Sequence, residues 1–167
     1  MKEEIKMKVR SGYSRLQIAL HWGMVALLLV SFFSHDAMKS AWYALHKGKD
    51  AFGTVAALHV WVGVSVLVLA ILRLALRHGR GVPDLPAGGH PVLDRVARLT
   101  HLGLYLLLIG IPASGLAAWF GGIDAAGEAH EIMFNLALAL VGLHVAGALY
   151  HQFVLRDGLM DRMRRPG

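Results

Sequence analysis

The chain has 167 residues, 56% of them hydrophobic and only 17% charged, which is too apolar for a soluble domain of this length. Its net charge of +6 is spread over segments that flank apolar stretches, so it does not form the single basic face that nucleic-acid binding needs. There is no cysteine, which excludes disulfides, thiolate ligation, iron–sulfur clusters and covalent haem attachment. Any metal must be held by histidine or oxygen ligands.

Four apolar stretches, about 16–33, 55–76, 102–119 and 132–154, are each near the ~20 residues that a helix needs to cross a bilayer. They predict an all-α, integral membrane four-helix bundle, a single domain over residues 1–167. Ser14 suits the N-cap of the first helix. Gln17 and His21 interrupt its apolar start and no small-residue cleavage site follows, so the stretch reads as a span and not as a signal peptide. Residues 34–54 read as an outer loop holding Trp42, Tyr43, His46 and a Lys47-Gly48-Lys49-Asp50 turn. Trp42, Trp61 and Trp119 fall toward the outer end, as in an interfacial aromatic belt. The second stretch carries His59 near its outer end and Arg73 near its inner end. Residues 79–94, with Pro83, Pro86, Gly88, Gly89 and Pro91, read as an irregular inner loop, and 95–101 as the beginning of the third helix. Pro112 predicts a kink in that helix, with Ser114 and Gly115 suited to close packing. The short connection 121–127 makes the third and fourth helices antiparallel neighbours.

Charge gives the orientation. Lys2, Lys6, Lys8, Arg10 and Arg15 precede the first stretch, and Arg73, Arg77, Arg80, Arg95 and Arg98 lie between the second and third. Arg156, Arg162, Arg164 and Arg165 follow the fourth. Only Lys39, Lys47 and Lys49 fall on the other side, where Asp124 and Glu128 also lie. The positive-inside rule then puts both termini in the cytoplasm, and the basic segments contact membrane lipid.

Histidines carry the functional signal, because a titratable side chain within a span is costly. His130 and His144 are fourteen residues apart, which returns to nearly the same helix face ~21 Å further on. By depth the histidines pair: His59 with His130 near the outside, His21 with His144 near the inside. Facing imidazoles at one depth suit bis-histidine ligation of haem iron in a bundle core. Gly23, Gly63, Gly142 and Gly147 lie within four residues of these histidines and would leave room for a flat macrocycle. Zinc is the alternative metal, and a single such histidine serves equally as a helix–helix hydrogen bond or a proton relay. The wide axial spread and the lack of an accompanying acid favour two macrocycles. His101 and His151 lie near the inner end. They read either as interfacial residues at the headgroups or as contacts for a haem propionate or a quinone, and they are the alternative inner ligands. Arg15, Arg73 and Arg77 are candidate partners of inner propionates, Lys47 and Lys49 of outer ones. His35, His46, His78 and His90 read as solvated.

The residues also carry a resemblance. Tyr13-Ser14-Arg15-Leu16-Gln17-Ile18-Ala19-Leu20-His21-Trp22 resembles the N-terminal signature of the bacterial cytochrome b561 family. So do Leu58-His59-Val60-Trp61-Val62-Gly63, Arg73-Leu74-Ala75-Leu76-Arg77, His101-Leu102-Gly103, Ile111-Pro112-Ala113-Ser114-Gly115, His130-Glu131 and Gly142-Leu143-His144 with His151. Together they span about 13–165. The resemblance implies a multi-pass protein of the bacterial inner membrane with two non-covalent b haems, whose axial ligands carry over to His21, His59, His130 and His144. It implies single-electron transfer and exchange with ubiquinone or a similar quinone. Some members are similar to superoxide oxidases, which take an electron from superoxide at the outer face. Related cytochromes are membrane anchors that relay electrons for a partner such as a hydrogenase. The short 121–127 connection departs from relatives with a longer segment over the outer haem, which leaves the outer donor open.

Overall fold

The computed structural model describes residues 12–49, 51–83 and 91–167. Lys2, Lys6, Lys8, Arg10, Asp50, Pro86, Gly88, Gly89 and His90, which entered the sequence reading, lie outside these. Four long helices follow in order: α1 Arg15–His46, α2 Thr54–Arg80, α3 Pro91–Gly121 and α4 Asp124–Tyr150. A π turn, His151–Leu155, continues α4, and a short 3₁₀ turn, Met160–Met163, follows it. All four helices are long and apolar enough to cross a membrane. Neighbours pair in sequence, α1 against α2 and α3 against α4, with α2 also packed on α3.

Each end has a local cause. Ser14 caps α1 as expected: its Oγ accepts from the Gln17 N–H at 3.3 Å, while the Gln17 side chain accepts from the Ser14 N–H at 3.0 Å. The same Gln17 amide donates to the Gly81 carbonyl at 3.1 Å, tying the start of α1 to the end of α2. Gly81, at φ +74, closes α2 by donating to the Arg77 carbonyl. Pro91 opens α3, where its missing N–H costs nothing. Pro112 lies inside α3 without ending it.

The helices are longer than the apolar stretches that announced them. The largest correction concerns α1, whose 32 residues span about 48 Å at ~1.5 Å per residue, well beyond a ~30 Å hydrocarbon layer. Most of the expected outer loop is therefore its last three turns. Ser34, His35, Asp36, Lys39 and Ser40 lowered the hydropathy there, yet Ala, Met, Lys and Leu around them favour helix. A stripe of this extension docks on α4: Lys39 donates to Glu131 at 2.6 Å and the His46 ring meets Asp124 at 2.8 Å. Likewise α3 begins at Pro91, and not near residue 95.

The core is small, with Met24, Val66 and Ala70 buried against Leu27, Leu28, Leu69, Leu108 and Ile109. Large apolar side chains such as Phe33, Leu106, Ile132 and Phe153 point outward. That is the surface a bilayer would solvate, since lipid leaves no drive to bury them against one another. Tyr13 and Gly167 lie at one end of the bundle. The Gly167 N–H donates to the Tyr13 carbonyl at 3.3 Å, and the Trp22 indole donates to the Met163 carbonyl at 2.9 Å.

Candidate functional site

Helix α4 presents His130 and His144 to two different partners. His130 faces His59 of α2, ring centroids 6.4 Å apart. His144 faces His21 of α1 at 6.3 Å. The pairing by depth that spacing suggests is thus the pairing in space. A metal bound by one nitrogen of each ring, at about 2 Å per bond, sets two centroids roughly 6 Å apart. Both pairs meet that span. No group of three or more His, Asp or Glu side chains that could hold a metal ion is found among the described residues.

At the outer pair the protein has already chosen the tautomer. Ser34 is buried, and its Oγ lies 2.8 Å from the Val30 carbonyl and 2.8 Å from His59 Nδ1. A hydroxyl has one proton; given to Val30, it leaves a lone pair to accept His59 Nδ1–H. His130 Nδ1–H donates to the Ile111 carbonyl at 2.7 Å. In both rings the unprotonated nitrogen is then Nε2, the one left for a metal. Gly115 of α3 makes room for this: a Cβ there would stand 2.9 Å from the His130 ring. Sequence reading had assigned Gly115 to general close packing and missed Ser34 and the Ile111 carbonyl.

The inner pair is arranged differently. Arg73 Nη2 donates to His21 Nδ1 at 3.3 Å, while its Nε and Nη1 are buried without a partner among the described residues. A buried guanidinium with two orphaned donors is costly, and a carboxylate would satisfy it bidentately. His101 of α3 reaches the same place, its ring 5.1 Å from that of His144, with Nδ1–H donating to the Ala97 carbonyl at 2.7 Å. Arg15 is exposed in the first turn of α1. Beside Gly63 and Gly147 an added Cβ would meet nothing within 4 Å, so there is open space next to both pairs.

Below the inner pair, His151 sits in the π turn and donates Nδ1–H to Asp157 Oδ2 at 2.5 Å, both side chains about one-fifth exposed. Arg156, at φ +52, turns the chain so that Asp157 folds back, and the Leu159 N–H fixes its other oxygen at 3.0 Å. Burial works against the Asp157 carboxylate. The His151 and Leu159 hydrogen bonds outweigh it and hold that carboxyl below its ordinary range. Gln152, Arg156, Gly158 and Asp161 border an adjoining pocket of about 360 Å³. Among the histidines read as solvated, His46 and His78 are exposed. His35 is not: it is half-buried and stacked on Phe134 of α4, centroids 4.4 Å apart and planes 9° apart.

A family model described as Prokaryotic cytochrome b561 matches residues 12–166. The chain belongs to the prokaryotic cytochrome b561 family. It is 39% identical over 160 residues to a protein named cytochrome b562 from Cereibacter sphaeroides, covering 96% of this chain and 99% of that one. It is 26% identical to a probable superoxide oxidase CybB from Yersinia pestis, over 90% of this chain and 94% of that one. It is also 26% identical to cytochrome b561 homolog 1 of Escherichia coli, over 90% and 96%. A cytochrome b561 carries haem b and moves electrons in the membrane, so the chain is a multi-pass, haem-dependent electron carrier. Facing histidines, the orphaned Arg73 donors and the open space beside the glycines all fit such a group.

Proposed function

We propose that the chain holds two b haems and passes single electrons from an outer-face donor, superoxide in the first instance, to a membrane quinone at the inner end. His59 and His130 hold the outer haem; His21 and His144 hold the inner one, with Arg73 on its propionates. The two imidazole pairs at metal-spanning separation carry this reading. By the positive-inside rule the end bearing Tyr13 and Gly167 is cytoplasmic, in the bacterial inner membrane.

Haem iron, when bound, supplies the one-electron chemistry. The protein supplies orientation, a dry setting and proton handling. Ser34 and the Ile111 carbonyl fix the outer rings in the ligating tautomer. At the inner end, reduction of a quinone to a quinol takes two electrons and two protons. His151 is placed to handle a proton: Asp157 holds its Nδ1–H, which orients the ring and leaves Nε2 to exchange a proton with a quinone oxygen. His101, whose Nδ1 is engaged by Ala97, offers its other nitrogen beside the inner haem. Superoxide as donor is supported by the name of the Yersinia pestis relative. The exposed Lys47 and Lys49 would attract an anion to that face.

The test is a reduced-minus-oxidised spectrum of the detergent-purified protein with pyridine haemochrome quantitation, followed by superoxide and then ubiquinone. Two b haems per chain, reduced by superoxide and reoxidised by ubiquinone, are expected. Two haems that ignore superoxide would replace that donor with a partner enzyme, and a colourless protein would overturn the reading.

A further inference from the structure

The α1 helix repeats the pattern of α4: His21 and His35 are fourteen residues apart, as are His130 and His144. Fourteen residues return to nearly one face ~21 Å along the axis. His35 therefore stands to the outer site as His21 stands to the inner one. Three contacts place it there. Its chain neighbour Ser34 holds the His59 ring at 2.8 Å, so His35 lies at the depth of the outer pair. Its own ring lies flat on Phe134, one turn along α4 from His130. It is half-buried in the α1–α4 seam; its Nδ1 lies 3.3 Å from the fully exposed Asp36 carboxylate, a long contact that water can replace, and in the tautomer protonated on Nε2 that nitrogen can donate to a second partner. It is not needed as an axial ligand, because His59 and His130 already face each other across a metal-spanning gap and iron takes two such ligands.

We propose that His35 is a carboxylate-binding residue of the outer haem, donating its Nε2–H to a propionate where α1 meets α4. This rests on the di-haem reading above. The outer haem's charged edge belongs toward the aqueous side of the span, where a carboxylate costs least. The α1 extension beyond the apolar stretch is what brings a donor there. An N–H placed on a propionate offsets its negative charge and so favours the reduced iron, raising the potential of that haem. His35 is thus a positioning and tuning residue that spacing on the last helix alone could not reveal.

The experiment is a spectroscopic redox titration of the purified holoprotein and of His35→Phe and His35→Gln, with redox-difference infrared spectra. Phe keeps the stacking on Phe134 and removes the donor; Gln keeps a donor. The outer haem is identified as the one that His59→Ala removes. His35→Phe is expected to retain both haems, lower the potential of the outer one alone and shift a propionate carboxylate band, with His35→Gln recovering part of both changes. Unchanged potentials and bands in a protein with two haems would overturn this inference and leave the di-haem reading standing. Loss of the outer haem's low-spin spectrum in His35→Phe would make His35 an axial ligand and also overturn it. A wild-type protein without two haems would sink the reading itself.

Discussion

The outer and inner histidine pairs have nearly the same ring separation, 6.4 and 6.3 Å, but the protein prepares them in opposite ways. At the outer pair both Nδ1 atoms are already held, one by Ser34 and one by the Ile111 carbonyl, and Gly115 leaves the space His130 occupies. At the inner pair His21 accepts from Arg73, which sets its proton on the nitrogen that a metal would need. Arg73 can release His21 only by finding another acceptor, and a haem propionate is one. The outer site is pre-organised; the inner site is completed by what binds it.

Removing ligands breaks the comparison most severely. His59→Ala or His130→Ala is expected to take the haem content from two per chain to one, by pyridine haemochrome, with the inner signal intact. His144→Ala should do the reverse. Survival of both haems in His144→Ala would refute the ligand assignment.

Smaller changes should separate the two sites by their preparation. Gly115→Val puts carbon into the His130 ring, an overpacking of roughly 1–3 kcal/mol, and should weaken outer haem binding on dilution while sparing the inner haem. Ser34→Ala removes the acceptor for His59 Nδ1–H, and loss of such a partner costs roughly 10–100-fold in metal affinity. Arg73→Met should loosen the inner haem alone, by about tenfold, since it removes the charge-assisted bonds expected for a propionate. If Ser34→Ala and Arg73→Met weakened the same haem, the distinction between the sites would fail.

Much of this was legible in the sequence, and the exceptions share one cause. Four spans, the Ser14 cap, the antiparallel α3–α4 pair and the depth pairing of His21, His59, His130 and His144 all follow from hydropathy and helical period. Residues 34–46 were misread because hydropathy reports where lipid ends and not where a helix ends. His35 went with them, read as solvated though its face of α1 docks on Phe134. Ser34 and the Ile111 carbonyl were invisible because their roles depend on which helix faces which, and a carbonyl has no sequence signature. Arg73, legible in the sequence near the inner end of the second span, lies beside His21.

The smallest expected effect lies below the inner pair. Asp157→Asn should leave both haem spectra unchanged and slow quinone reduction about tenfold, as expected when a proton-delivering imidazole loses its orienting carboxylate. Its pH signature has a definite sign. The Asp157 carboxyl is held below its unfolded value, so its contribution to stability is present above the ordinary carboxylate range and is lost as pH falls through the lowered folded value. Asp157→Asn should lower the melting temperature at neutral pH, where the wild type has that contribution, and converge with the wild type as pH falls through the acid limb.

The most direct test of the central claim is the haem count per chain by pyridine haemochrome in wild type, His59→Ala and His144→Ala purified side by side. Two, one and one, with the two variants retaining different low-spin spectra, is the predicted result. One haem in the wild type, or variants that retain the same spectrum, would contradict two separate bis-histidine sites.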